Sequence, residues 1–272
     1  MAKSYGKQSR LPRAKGMDMA QVYAPGESGE RVKHMVFHPV NQVIVEEFMA
    51  CLGMREQFAQ YGVSAPNKLV MFGPPGTGKT LTAFYIAHRL ELPLVLVRLD
   101  AIIHSHLGET GSNVRKVFDY ARETPCVLFL DEFDALARTR DNNDEVKEMS
   151  RVVNTLLQCL DAFEGKSIFM AATNLEDELD HAVWRRFDTR MTYTLPDEKA
   201  RWTYTAKLIG EYPCAAAIAG PFAGLTEGCS FADLEQVVLK AMRKAIIARR
   251  SLQMSDLDAS LAEYRPHALA AR

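Results

Sequence analysis

Short runs rich in aliphatic residues recur through the middle of this chain: Leu69–Phe72, Leu94–Leu99, Val127–Leu130 and Ile168–Ala172. Each is bounded by polar or turn-forming residues and reads as a strand, and helical patterning separates each from the next. Strands alternating with helices argue for a parallel sheet flanked by helices. Ahead of the first strand, Val43, Ile44, Phe48 and Leu52 recur at helical spacing from Asn41 onward, as in an amphipathic helix. After Leu195-Pro196-Asp197 the pattern changes. No strong strand candidate follows, and Arg201–Leu208, Ser230–Arg249 and Asp256–Tyr264 read as helices. Within them Leu234, Val237, Val238, Ala241, Ala245 and Ile246 repeat at helical spacing. The expected fold class is α/β, a three-layer αβα core with a parallel sheet followed by a small all-helical lid. The expected division is 1–35 as a basic flexible tail, 36–196 as the core and 197–272 as the lid.

Composition adds limits rather than chemistry. At 272 residues, 47% hydrophobic and 25% charged, the chain has room for one large domain, or a domain with a smaller companion. A formal net charge of −1 gives no global attraction to nucleic acid or to an anionic membrane. Positive charge gathers locally at Lys3, Lys7, Arg10, Arg13 and Lys15, before the first acidic residue, Asp18. A solvated tail accounts for that cluster, with a docking or threading segment as the alternative. Five scattered cysteines without a C-x-x-C pair favour free thiols in a reducing compartment. No apolar run has the length of a membrane span and the start lacks a signal-peptide core, so the expected location is cytoplasmic.

The chemistry enters at Gly73-Pro74-Pro75-Gly76-Thr77-Gly78-Lys79-Thr80, between the first strand and a helical stretch from Leu81 to Leu90. Strand, glycine-rich loop and helix in this order form a phosphate-binding loop. Glycines let successive N–H groups turn inward around phosphates, and the helix N-terminus adds its positive end. Pro75, Gly76, Thr77, Gly78, Lys79, Thr80 and Leu81 are the expected nucleotide-binding residues. Lys79 would reach the β- and γ-phosphates, and the Thr80 hydroxyl would ligate Mg²⁺. The expected ligands are therefore ATP and Mg²⁺, in a P-loop NTPase core.

Asp131 and Glu132 close the strand at Val127–Leu130, where ligand sites of α/β proteins form. Asp131 is the expected Mg²⁺ partner, and Glu132 the base that polarises a water for attack on the γ-phosphate. Asn174, after the Ile168–Ala172 run, suits orientation of that water without adding charge. Arg185 and Arg186 are candidates for an arginine that neutralises charge on the transferred phosphoryl group across a subunit boundary. An ordinary ion-pair cluster with Asp188 is the alternative reading of that pair.

Together these residues resemble the AAA ATPases, the central clade of the wider AAA+ group, over roughly residues 36 to 250. The resemblance rests on the GPPGTGKT loop, the stretch Phe129 to Leu136, the Ala172-Thr173-Asn174 segment and Arg185-Arg186-Phe187-Asp188. It also rests on Leu225 to Leu234, which looks like the start of the lid helix near adenine. It implies a homo-oligomeric ring, usually a hexamer, with ATP between subunits, that pulls on protein segments. His106 and Leu107, in Ser105 to Thr110, match the family's pore loop, with His106 where the family has an aromatic. Phe231 stands where family members commonly carry glycine. His104 and His106 alone do not make a metal pair.

The run Arg151 to Gln158 and the compact lid look like small bacterial AAA proteins. They also look like the pachytene-checkpoint remodellers, which act on HORMA-domain proteins. The leading expectation is an ATP-driven remodeller of a protein substrate, met directly or through an adaptor. The alternatives are a nucleic-acid motor or loader, a slow nucleotide-gated ring, and the ATPase partner of a protease. A basic lid face at Lys240, Arg243, Lys244, Arg249 and Arg250 would serve the nucleic-acid reading, but near-neutral overall charge weighs against it.

Overall fold

The computed structural model describes residues 13–14, 17–18, 20–99, 110–133, 143–174, 181–210 and 215–264. Its strands are β1 (Arg13–Ala14), β2 (Met17–Asp18), β3 (Ala20–Tyr23), β4 (Lys68–Phe72), β5 (Leu94–Arg98), β6 (Val127–Asp131), β7 (Ile168–Thr173) and β8 (Thr189–Thr192). Around them lie α1 (Pro25–Arg31), α2 (Pro39–Gly53), α3 (Arg55–Gln60), α4 (Lys79–Arg89), α5 (Thr110–Glu123), α6 (Asn143–Asp161) and α7 (His181–Trp184). The chain continues through α8 (Glu198–Ile209), α9 (Ala215–Leu225), α10 (Phe231–Ile247) and α11 (Met254–Tyr264).

Six strands form one sheet in the order β3-β5-β6-β7-β4-β8. From β5 to β8 all neighbours are parallel, and β3 alone runs antiparallel, against β5. Successive side chains of a strand point to opposite faces. Leu69, Met71, Phe129 and Met170 therefore pack with Val45, Phe48, Phe84 and Ile86 of α2 and α4. Val70, Leu128, Leu130 and Phe169 pack on the other side with Val114, Phe118, Leu156 and Leu160 of α5 and α6. Both faces are covered, which makes the three layers. A separate core unites the C-terminal helices around Tyr204, Phe222, Leu234, Val238 and Leu257.

One feature departs from the expected division. Residues 20–31, read as tail, instead form an edge strand and a helix. Ala20–Tyr23 pairs in register with Leu94–Val97 and covers an edge that the parallel strands alone would leave open. Arg31 then lies over the rings of Tyr23 and Phe84, at 4.7 and 5.0 Å from their centroids. Within the lid, α9 was not among the helices named from the sequence, and it forms through Gly220 and Pro221. Burial of Ile218 and Phe222 against the lid core outweighs the poor helix propensity of those two residues.

Candidate functional site

The loop, the carboxylates and Asn174 meet because of strand order. β7 lies between β6 and β4, with Leu130 opposite Ala171 and Phe72 opposite Thr173. Gly73, Glu132 and Asn174 therefore leave the sheet at the ends of three neighbouring parallel strands, about 4.8 Å apart per strand. This is the end of an α/β sheet where ligands bind.

Sterics fix the loop backbone. Gly73 has φ of 136°, and a Cβ there would run into the carbonyl of Tyr193. Gly76 has φ of 73°, and a Cβ there would come 2.5 Å from Ser230 Oγ and 2.9 Å from Ala232 Cβ. Thr77 Oγ1 donates to the Pro74 carbonyl at 2.8 Å, tightening the turn. Lys79 is 8% exposed, and its ammonium donates to the carbonyls of Gly73 and Pro74 at 2.6 and 2.8 Å. It thus hangs over the loop from the start of α4, where a phosphate would meet both it and the helix N-terminus. Pro74 and Pro75 stay exposed at the lip, and Gly78 and Leu81 flank the lysine and threonine.

Thr80 Oγ1 donates to Asp131 Oδ2 at 3.0 Å, joining α4 to the end of β6. A hydroxyl and a carboxylate at this separation are hard oxygen donors of the kind Mg²⁺ takes, so the residues fit that ion. Asp131 Oδ1 also accepts from the Glu132 N–H at 3.0 Å. Glu132 is exposed and has φ of 53°, a conformation that costs a non-glycine residue roughly 1–3 kcal/mol. This backbone ends the strand at Asp131 instead of continuing the pleat. Asn174 is exposed immediately beyond β7.

The two arginines differ. Arg186 is half-buried; its Nε and Nη2 reach the Asp161 carboxylate at 2.9 and 3.1 Å, and its Nη1 donates to the Ala182 carbonyl at 2.6 Å. Arg185 is exposed and makes no hydrogen bond or ion pair with the described residues. Phe187 between them and the strand is buried against Phe133 and Phe169. Asp188, read as an ion-pair partner, instead accepts the N–H groups of Asn67 and Lys68, both at 3.0 Å, at the start of β4. Arg190, exposed, donates to the Trp184 carbonyl at 3.1 Å. His106 and Leu107 lie outside the described residues.

The lid seats directly on the loop. Ser230 caps α10 and shares a capping box with Asp233, and the Ala232 N–H donates to the Gly76 carbonyl at 3.2 Å. Beside this contact is a narrow cleft with about 10 Å³ of space, whose lining includes Phe37, Thr77, Tyr193, Pro196 and Phe231. Phe231 thus forms a wall of the cleft and packs on Tyr204, with ring centroids 4.9 Å apart. Tyr193, absent from the sequence reading, touches β4, the loop and α4 in turn. Its N–H donates to the Phe72 carbonyl at 2.7 Å, its carbonyl crowds Gly73, and its hydroxyl bonds Thr82 Oγ1 at 2.5 Å. Asp161 and Tyr193 act at sequence separations of 25 and 111 residues, which no local pattern reveals.

A lidded αβα sheet with this loop on one strand and an Asp-Glu pair on another defines a P-loop nucleotide-binding protein. More narrowly, residues 69–195 match the model of the AAA family, the ATPase family associated with various cellular activities. It is 43% identical over 219 residues to an uncharacterized AAA family ATPase of Sinorhizobium fredii, covering 80% of this chain and 65% of that one. A probable 26S proteasome regulatory subunit 10B of Caenorhabditis elegans is 35% identical over 74% of this chain and 52% of its own length. A proteasome-activating nucleotidase of Methanoregula boonei is 36% identical over 70% of this chain and 46% of its own. The chain thus spans about two thirds of the first relative and about half of the other two. Among the described residues no helix is long and apolar enough to cross a membrane.

Proposed function

We propose that this chain hydrolyses ATP to ADP and phosphate and uses the cycle, as a homo-oligomeric ring, to remodel or unfold a protein substrate. The observation that carries the reading is the 3.0 Å contact between Thr80 and Asp131, with the exposed Glu132 next in the chain. Mg²⁺ bound by Thr80 and Asp131 would offset negative charge on the β- and γ-phosphates. Lys79 leaves its carbonyl partners for phosphate oxygens. Glu132 accepts a proton from the attacking water, whose oxygen bonds the γ-phosphorus as the bond to the bridging oxygen of ADP breaks. Asn174 orients that water from the neighbouring strand end.

Arg185 is the better candidate for the arginine given to a neighbour's site, because Arg186 is committed to Asp161 within its own subunit. A hexamer is the expected ring. The relatives named as proteasome components support a protein substrate, and with it a protease as an alternative partner. A HORMA-domain substrate, direct or through an adaptor, rests on the sequence resemblance alone. ATP turnover should rise on addition of an unfolded polypeptide such as casein and stay unchanged with single- or double-stranded DNA. Stimulation by DNA and not by protein would favour the nucleic-acid motor.

A further inference from the structure

A cleft of about 550 Å³ opens at the start of β4, the opposite end of that strand from the phosphate loop. Its volume is that of a site for a small ligand or a few peptide residues. Val63, Pro66 and Phe163 give it apolar walls, and Val63 is 53% exposed, so part of that surface is open to a partner. Arg55 and Lys68 bring two positive charges to the lining, and neither side chain forms a hydrogen bond or ion pair with the described residues. Arg55 is also partly buried: lost hydration lowers its pKa, and no carboxylate beside it offsets that. The acids of the lining are placed differently. Asp161 is held by Arg186, and Asp188 by the N–H groups of Asn67 and Lys68. Glu164 has no such partner among the described residues.

We propose that this cleft docks a segment of a partner protein in which one carboxylate side chain stands between apolar residues. The assignment rests on the protein-remodelling reading above. Both carboxylate oxygens accept from the Arg55 guanidinium, whose planar fork fits that geometry, and Lys68 adds a second positive charge. The flanking apolar side chains cover Val63 and Pro66. A polyanion such as nucleic acid is disfavoured, because its further negative charges would meet Asp161, Glu164 and Asp188. Asp161 also ties the cleft to the arginine pair, since it holds Arg186 beside Arg185. A docked segment therefore lies next to the residues proposed to complete a neighbour's site.

The test is a ligand-observed NMR titration of the whole chain with acetyl-Ala-Leu-Glu-Leu-Ala-amide and with the same peptide carrying Gln in place of Glu. The wild-type protein should bind the acidic peptide about 5- to 10-fold more tightly than the neutral one. Arg55→Gln should bring that ratio to about one and leave ADP affinity and basal ATP turnover unchanged. Val63→Glu, at an exposed position, places a like charge in the wall and should also lower the ratio, which covers the case in which Arg55→Gln fails to fold. Wild-type protein that binds the two peptides equally, or neither, would overturn the assignment, as would an unchanged ratio in a folded Arg55→Gln. If casein still stimulates turnover in that case, the remodelling reading stands and only the cleft is lost. If casein fails as well, both are overturned.

Discussion

Ala232 donates its backbone N–H to the carbonyl of Gly76, so the first turn of the lid's longest helix is hydrogen-bonded to the phosphate loop. The two residues are 156 positions apart. A loop that shifts on gaining or losing phosphate would carry this helix with it, which gives nucleotide turnover a direct mechanical outlet.

Gly76→Ala should break that junction. The new methyl would meet Ser230 and Ala232, and the φ of 73° would strain any side chain. We expect a loss of about 1–3 kcal/mol of stability, read from chemical unfolding, and weakened nucleotide binding in the folded fraction.

Arg185 and Arg186 should separate cleanly. Arg186→Ala loses its bidentate contact with Asp161 and should lower the unfolding temperature modestly, since the pair is partly solvent-exposed. Arg185→Ala should leave stability within about 0.5 kcal/mol of wild type. Its steady-state turnover should nevertheless fall on the order of 10³-fold. Mixing Arg185→Ala with Glu132→Gln subunits should restore part of the turnover, because some interfaces then hold one intact half from each.

Tyr193→Phe removes the hydroxyl that bonds Thr82 and leaves the backbone contacts with Phe72 and Gly73 in place. Stability should drop by about 1 kcal/mol, measured as a shift in denaturant midpoint at constant slope.

Acid should loosen the lid first. Hydrogen bonds from Lys240 and Lys244 hold Glu263 down at about 2, and Arg250 lowers Asp256 below the ordinary carboxylate range. Both groups have folded values below their unfolded ones. Their stabilising effect is therefore complete above the unfolded carboxylate range and is lost as pH falls towards 2. The unfolding temperature should fall as the pH drops from about 5 to 2. A Glu263→Gln, Asp256→Asn double variant should start lower at neutral pH and show a shallower slope.

Much of the core was legible because β4, β5, β6 and β7 are buried on both faces and appear as aliphatic runs. β8 was not, since only Met191 of its four residues is buried and its place beside β4 is set by pairing. β3 was hidden for a related reason: Gln21 is exposed and Val22 only partly covered, so the segment lacks a strand's usual apolar content. The loop and the Asp-Glu pair carry their own chemistry in consecutive residues. Asp161 and Tyr193 acquire their roles only through neighbours far away in the chain.

Glu132→Gln tests the assigned chemistry most directly. The variant keeps the size and hydrogen-bonding shape of the side chain and removes its ability to take a proton. It should bind ATP with near wild-type affinity, while single-turnover hydrolysis slows by roughly 10²–10⁴-fold. Hydrolysis at the wild-type rate by this variant would contradict the role of Glu132 as the base and the catalytic site built around it.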